Sequence, residues 1–156
     1  MLHDALPHGD VKPTCFPFAA APAIRRATLD DIPFIREIAL EKYPERAVEQ
    51  GLSWMLWCLK NPERLVLVGA NSVGMAAMAW NYGFEPRARL DMLAARPVAG
   101  APWEAFRMVR MMIAWAKEQG AQGAFKLEAD TGIDFAPFAK RLGGHAVTTT
   151  RYDIPL

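Results

Sequence analysis

The stretch from Ala88 to Gly144 decides the fold, and it opens with ARLDMLAA (88–95), RPVAGAP (96–102) and WEAFRMVRMMIAWAKEQG (103–120). These segments have the patterns of a strand, a loop and a long helix, and GAFKLEA (123–129) then predicts a second strand. A helix bracketed by two strands is a βαβ unit. The loop leading into its helix commonly holds a phosphate or a carboxylate, because helix N-terminal N–H groups are unpaired there.

Side-chain patterns within this unit indicate which faces are covered. In the first strand, we expect odd-numbered residues from Arg89 to Leu93 on one face and even-numbered residues from Leu90 to Ala94 on the other. The long helix is apolar around most of its circumference, which predicts that it packs under the sheet. Its narrow polar stripe is expected to comprise Glu104, Arg107, Arg110, Lys117 and Glu118.

Two helices are predicted upstream of the unit. AIRRAT (23–28) has the pattern of a short strand, and Thr28 with Asp31 resembles a capping box that starts a helix running to about Lys42. Pro44 opens the second helix. Its predicted apolar stripe is Val48, Leu52, Leu56 and Leu59, with Trp54 and Trp57 beside it. Packing is a more common role for such tryptophans than ligand stacking.

Three further strands complete the predicted sheet. RLVLVGA (64–70) and VGMAAMAWNYGF (73–84) flank a tight turn at Asn71–Ser72, and both are apolar on both faces, which predicts central positions in a covered sheet. The last strand is predicted in HAVTTTRYDI (145–154), after a short helix in FAPFAKRL (135–142).

The length of 156 residues predicts one domain over residues 23–156, preceded by a proline-rich arm over residues 1–22. Four prolines in the arm exclude helix and strand interiors. Because the arm also carries Phe16 and Phe18, we expect it to pack across the domain or against a second copy, which would give a homodimer.

The overall composition argues against several classes of partner. Lysine plus arginine number 18 against 17 acidic residues, so no basic field is present to attract nucleic acid. No apolar run approaches the roughly 20 residues of a membrane span. Cys15 and Cys58 lack metal-ligand spacing, so we expect no metal site, no disulfide framework and a cytoplasmic setting.

The predicted order of elements is β, α, α, β, β, β, α, β, α, β. Together with the opening AIRRATLDDIPFI, the Val-Gly pairs of the 68–74 hairpin and the closing FAKRLGG, it resembles the GCN5-related N-acetyltransferase (GNAT) superfamily from Ala23 onward. The resemblance implies an α/β (α+β) fold. Its sheet would be mixed, largely antiparallel and six- to seven-stranded, with helices on both faces and a splayed parallel strand pair.

The resemblance also implies a co-substrate, acetyl-CoA or another acyl-CoA, and a primary amine as acceptor. Backbone groups of Leu90, Met92, Leu93 and Ala94 would bind the pantetheine arm. The pyrophosphate would be bound by Arg96, Val98, Ala99, Gly100, Ala101, Trp103 and Arg107.

Two family features are changed in this sequence. The family loop is Arg/Gln-x-x-Gly-x-Gly/Ala, but from Arg96 the two small-residue positions fall on Ala99 and Ala101, and Pro97 and Pro102 each remove an N–H donor. The family tyrosine that protonates the departing thiolate would stand at Ala139. Tyr82 and Tyr152 are two tyrosines that could replace it.

The candidate general bases for the amine are Asp91, Glu85 and Glu128, which are expected near the splayed strand pair. No pattern in the sequence selects one amine acceptor over another. Two functions remain open: an N-acyltransferase, or a non-catalytic GNAT-fold binding or structural module, for example an assembly component of the kind that phages carry.

Overall fold

The computed structural model describes residues 23–81, 84–128, 134–147 and 154–155. The strands are β1 (Arg25–Arg26), β2 (Arg64–Val68), β3 (Ser72–Asn81), β4 (Glu85–Ala95) and β5 (Phe125–Lys126). The helices are α1 (Ile32–Leu40), which follows a 3-10 turn at Leu29–Asp31, α2 (Glu45–Lys60), α3 (Ala101–Glu118) and α4 (Ala136–Arg141). The predicted arm over residues 1–22 lies outside the described residues.

The five strands form one mixed sheet in the order β1-β2-β3-β4-β5. The first three pairings are antiparallel, whereas β4 and β5 are parallel and are joined by α3, as the βαβ pattern predicted. The predicted size of six to seven strands is wrong for the described residues, which form five. The strand predicted at 145–154 is not seen at 145–147, and residues 148–153 lie outside the described part of the chain.

Both faces of the sheet are covered by helices, as predicted. On one face α3 buries Met108, Met112 and Trp115 against β2, β3 and β4. On the other face α1 and α2 bury Ile38 and Met55 against β2 and β3. Of the helices in the described residues, none combines the length and apolar character that a bilayer span requires.

The buried face of α2 agrees with the predicted stripe at Val48 and Leu59 but not at Leu56. Val48, Met55 and Cys58 are its buried residues, whereas Leu56 is 40% exposed and Trp57 is 51% exposed. The Trp57 ring lies under the guanidinium of Arg64, 5.6 Å from the ring centroid. The helix is therefore rotated relative to the pattern of its leucines, so that its sulfur-bearing side chains face the sheet.

A β-bulge in β4 changes the predicted alternation. Met75 of β3 pairs with Met92 and the next residue, Ala76, pairs with Leu90, so Asp91 is the extra residue. Leu90 and Leu93 consequently pack on the α3 face, while Met92 packs on the α1–α2 face. The prediction that Asp91 and Leu93 share a face is wrong, because one inserted residue reverses every side chain after it.

Candidate active site

The pairing of β4 with β5 ends early. Ala88 pairs with Phe125 and Arg89 with Lys126, and β4 then continues for six residues to Ala95. From Leu90 onward, the edge of β4 that faces β5 has no strand partner among the described residues. Exposed backbone donors and acceptors on such an edge can pair with an extended ligand. The bulge at Asp91 lies at the start of this open edge.

The loop from Arg96 to Gly100 connects this edge to α3. Gly100 is the N-cap residue and has a φ of 85°, a left-handed conformation that favours glycine. Among the described residues, the amides of Ala99, Gly100 and Trp103 have no backbone or side-chain acceptor. They lie at the positive end of the α3 dipole, an arrangement suited to an anion.

The two arginines predicted to bind the pyrophosphate have different surroundings. Arg96 is directed toward α1, where Glu41 accepts from its Nε at 3.1 Å and Glu37 accepts from its Nη2. Its guanidinium also lies over the Phe34 ring, 5.5 Å from the centroid. Arg107 is exposed on α3, one turn after Trp103, and has no ion pair with any described residue. Arg107 is therefore the arginine available to a ligand at the loop.

Glu104 was expected on the polar stripe of α3, but its side chain points at the turn between β2 and β3. Its carboxylate accepts hydrogen bonds from the amides of Ala70 at 3.1 Å and Asn71 at 2.9 Å, and from the hydroxyl of the fully buried Ser72. Gly69 makes this approach possible, because a Cβ there would stand 2.5 Å from the Glu104 carboxylate. The first turn of α3 is thus fastened to the β2–β3 turn.

Aromatic side chains fill the contact between α3 and α4. Trp103 stacks on Phe106 with ring centroids 5.3 Å apart, and Phe106 meets Phe138 edge-on at 5.7 Å. Ala139 follows Phe138 in α4 and has no hydroxyl to donate. The two replacement tyrosines, Tyr82 and Tyr152, lie outside the described residues.

Asp91 lies between two arginines on the α1–α2 face of the sheet. Arg64 of β2 donates from Nη1 to one carboxylate oxygen, and Arg89 donates from Nε to the other at 2.6 Å. The register explains this arrangement, because Arg64 and Arg89 are both paired with Ala77 of the strand between them. The bulge then places Asp91 beside both.

Asp91 also lines a cavity of about 290 Å³ between the helices α1 and α2 and the strands β3 and β4. The remaining lining residues are Ile35, Ile38, Ala39, Tyr43, Ala47, Val48, Gly51, Leu52, Trp54, Met55, Val73 and Met92. In the described part of the chain, Asp91 is the only charged residue lining this cavity. We call it the α1–α2 cavity.

The other candidate groups lie apart from this point. Glu85, at the start of β4, is roughly 20 Å along the strand from Asp91 and pairs with Arg87 at 2.6 Å. Glu128 lines a separate pocket with Arg87 and Lys126. Burial raises the pKa of the Cys58 thiol, opposed by the nearby charge of Arg64, so Cys58 is no ready nucleophile.

The sequence patterns did not assign three residues to the candidate site: Arg64, Glu104 and Tyr43. Arg64 was detectable in principle, since the hairpin register aligns it with Arg89. Glu104 and Tyr43 carry no such signal. The described residues contain no group of three or more His, Cys, Asp or Glu that could hold a metal ion.

Solved structures resemble this chain over nearly their whole length. An aminoglycoside antibiotic 6'-N-acetyltransferase from Acinetobacter haemolyticus is 19% identical and has a TM-score of 0.67, with 86% of this chain and 98% of that chain covered. A predicted acetyltransferase from Clostridium acetobutylicum, solved with acetyl-CoA, is 15% identical with a TM-score of 0.68, covering 85% and 95%. A GCN5-related N-acetyltransferase from Ralstonia eutropha JMP134 is 14% identical with a TM-score of 0.64, covering 85% and 97%.

The sequence itself has no such match: no family model fits it, and no curated protein is found as a relative. At identities below 20%, the three structures establish the fold. The chain has the fold of the GNAT acetyltransferases, which confirms the predicted resemblance at the level of architecture.

Proposed function

We propose that this protein transfers an acyl group from acetyl-CoA or another acyl-CoA to a primary amine. The observation that carries the proposal is the position of Asp91. It lies at the bulge just beyond the last β4–β5 pair, and it also lines the α1–α2 cavity. A ligand along the open edge of β4 and a second ligand in the cavity would therefore meet beside this residue.

Acyl-CoA would supply the acyl group activated as a thioester. Backbone groups of Leu90, Met92, Leu93 and Ala94 would bind its extended pantetheine arm along the open edge. The free amides of Ala99, Gly100 and Trp103 would bind its pyrophosphate, with Val98 and Ala101 shaping the loop around them. Arg107 would add a charge-assisted contact to the phosphates. We propose that Arg96 holds the loop against α1 through Glu37 and Glu41.

The reaction itself needs few groups from the chain. The amine nitrogen forms a bond to the acyl carbon, the C–S bond breaks, the amine loses one proton and the departing thiolate takes one up. Asp91 would accept a hydrogen bond from the amine, because a carboxylate oxygen that binds one arginine still has a free lone pair. Glu85 lies too far along β4 to share this role.

Ala139, which stands where the family tyrosine would be, has no hydroxyl with which to protonate the thiolate. We propose Tyr152 as that donor. Replacing it with phenylalanine should lower kcat and leave the affinity for acetyl-CoA unchanged, whereas an unchanged kcat would assign the proton to solvent.

Binding of the co-substrate is the first test of this function. Acetyl-CoA should raise the melting temperature, because a ligand that binds only the folded state at about 100 times its Kd stabilises it by about 2.7 kcal/mol. ATP is the control, since it shares the adenine and the phosphates but has no pantetheine arm. The absence of a shift with millimolar acetyl-CoA, or an equal shift with ATP, would contradict the proposal.

The second candidate is a non-catalytic module with the same fold, such as an assembly component. The absent hydroxyl at Ala139 and the engagement of Arg96 by Glu37 and Glu41 favour it. It predicts a protein that releases no thiol from acetyl-CoA with any amine. Amine-dependent thiol release would exclude it.

A further inference from the structure

The size of the α1–α2 cavity limits what it can hold. Its volume of about 290 Å³ lies at the lower end of the range for small-molecule pockets. Such a volume accommodates one ring with a short side chain. It is lined by the aromatic residues Tyr43 and Trp54 and by aliphatic residues of α1 and α2. Its walls therefore favour an apolar ligand.

The charges around the cavity limit the ligand further. Asp91 contributes one negative charge and its partners Arg64 and Arg89 contribute two positive ones, which leaves a net charge of +1. The two arginines behind Asp91 offset its negative charge, so a polycation beside this triad would gain little net attraction. Asp91 can pair with one ammonium group, but each further ammonium group would lose hydration without a second carboxylate in the lining.

A single amino group fits the same surroundings. An amine must be unprotonated to attack a thioester, and apolar walls together with the two arginines that pair with Asp91 disfavour the protonated form. The neutral amine can donate an N–H to Asp91 while the remainder of the molecule contacts the apolar walls.

We infer that the α1–α2 cavity selects a small monoamine with an apolar body, such as an arylalkylamine, and rejects polyamines and aminoglycosides. This inference rests on the proposed function for its chemistry, but the binding preference can be measured without acyl transfer. This preference would distinguish the protein from its structural neighbour, the aminoglycoside 6'-N-acetyltransferase. An aminoglycoside carries several ammonium groups on a polar body.

The test compares 2-phenylethylamine with spermidine and kanamycin, in binding and in acylation. Binding is measured by calorimetry without acyl-CoA, and acylation by thiol release with acetyl-CoA present. We expect kcat/KM for 2-phenylethylamine to exceed the other values roughly tenfold or more, with the same order of affinities.

Two variants of Gly51 test the cavity directly. Gly51 lines the cavity from α2, and a Cβ added there would meet no atom within 4 Å, so the position has room for the start of a side chain. Gly51→Leu should fill the cavity and abolish binding of 2-phenylethylamine, while Gly51→Asp should shift the preference toward spermidine. Ser53→Leu and Ser53→Asp are the matched controls, because Ser53 is exposed on the same helix and lies outside the cavity lining.

The outcomes separate the inference from the function. Equal or faster acylation of spermidine or kanamycin would overturn the inference and leave the function standing. Binding of 2-phenylethylamine that Gly51→Leu removes, with no acylation of any amine, would support the inference and overturn the function. A Gly51→Leu variant that binds 2-phenylethylamine as the wild type does would overturn the inference.

Discussion

The carboxylate of Glu104 accepts a hydrogen bond from the amide of Asn71 at 2.9 Å. The carbonyl of the same Asn71 accepts one from the amide of Arg96 at 2.8 Å. The turn between β2 and β3 therefore holds both ends of the loop that leads into α3. This arrangement fixes the free amides of the loop without using them.

Removing the Glu104 carboxylate should destabilise the protein. Glu104→Ala would leave two turn amides and the buried hydroxyl of Ser72 without their acceptor, at a cost of roughly 2–3 kcal/mol. Chemical denaturation measures this cost. Glu118→Ala, at the exposed end of the same helix, is the control and should change stability by less than about 0.5 kcal/mol. Equal effects of the two substitutions would show that Glu104 does not fasten α3 to the β2–β3 turn.

The contact between Gly69 and Glu104 can be isolated by a double-mutant cycle. Gly69→Ala should cost roughly 1–3 kcal/mol, because the new Cβ would stand 2.5 Å from the Glu104 carboxylate. In a Glu104→Ala background the clash disappears, so the same substitution should be nearly neutral. Additive free energies of unfolding would show that the two residues do not interact.

The start of α1 should make stability depend on pH. Arg25 binds both oxygens of Asp31 at 2.7 Å, and the Thr28 amide adds a bond at 2.8 Å. The Arg25 contact is the main reason that the pKa of Asp31 is lowered to about 2. Since this folded-state pKa lies below the unfolded value, the contribution is present above about pH 4 and is lost as the pH falls toward 2.

Substitution of Asp31 checks this dependence. We expect Asp31→Asn to lower the free energy of unfolding by about 1 kcal/mol at pH 7, a value reduced by the solvent exposure of Arg25. The difference from wild type should vanish near pH 2. Asp30→Asn is the neighbouring control, and a constant difference across the pH range would contradict the ion-pair account.

Binding of acyl-CoA should depend on Arg107 more than on Arg96. Arg107→Glu places a negative charge beside the proposed phosphates and should weaken acetyl-CoA binding roughly tenfold or more. Arg96→Ala should act less strongly, because its guanidinium is held by Glu37 and Glu41. Calorimetry gives both affinities, with Lys117→Glu as a charge-matched control in the last turn of α3. A larger effect from Arg96→Ala would reverse the assignment.

Periodic patterns predicted most of the architecture. The crossover from β4 through α3 to β5 follows from a long apolar helix between two strands, and the β2–β3 hairpin follows from its turn residues. These features depend on many residues at once. One atypical position does not obscure them.

The details of the site depend on single residues, which patterns do not reveal. Nothing in ARLDMLAA marks Asp91 as the bulged residue, yet that bulge decides which side chains face the cavity. Glu104 has the sequence context of a solvated helix residue, and only the fold brings the β2–β3 turn to it. The alternation and the polar stripe were therefore predicted incorrectly at the positions that shape the site.

The most direct measurement of the central claim follows both products of acyl transfer from acetyl-CoA to 2-phenylethylamine. Mass spectrometry measures N-acetyl-2-phenylethylamine, and a thiol reagent measures free CoA. We predict that both appear in equal amounts, and that Asp91→Asn slows their formation. A protein that binds acetyl-CoA but yields neither product with this amine, with spermidine or with kanamycin would contradict the account.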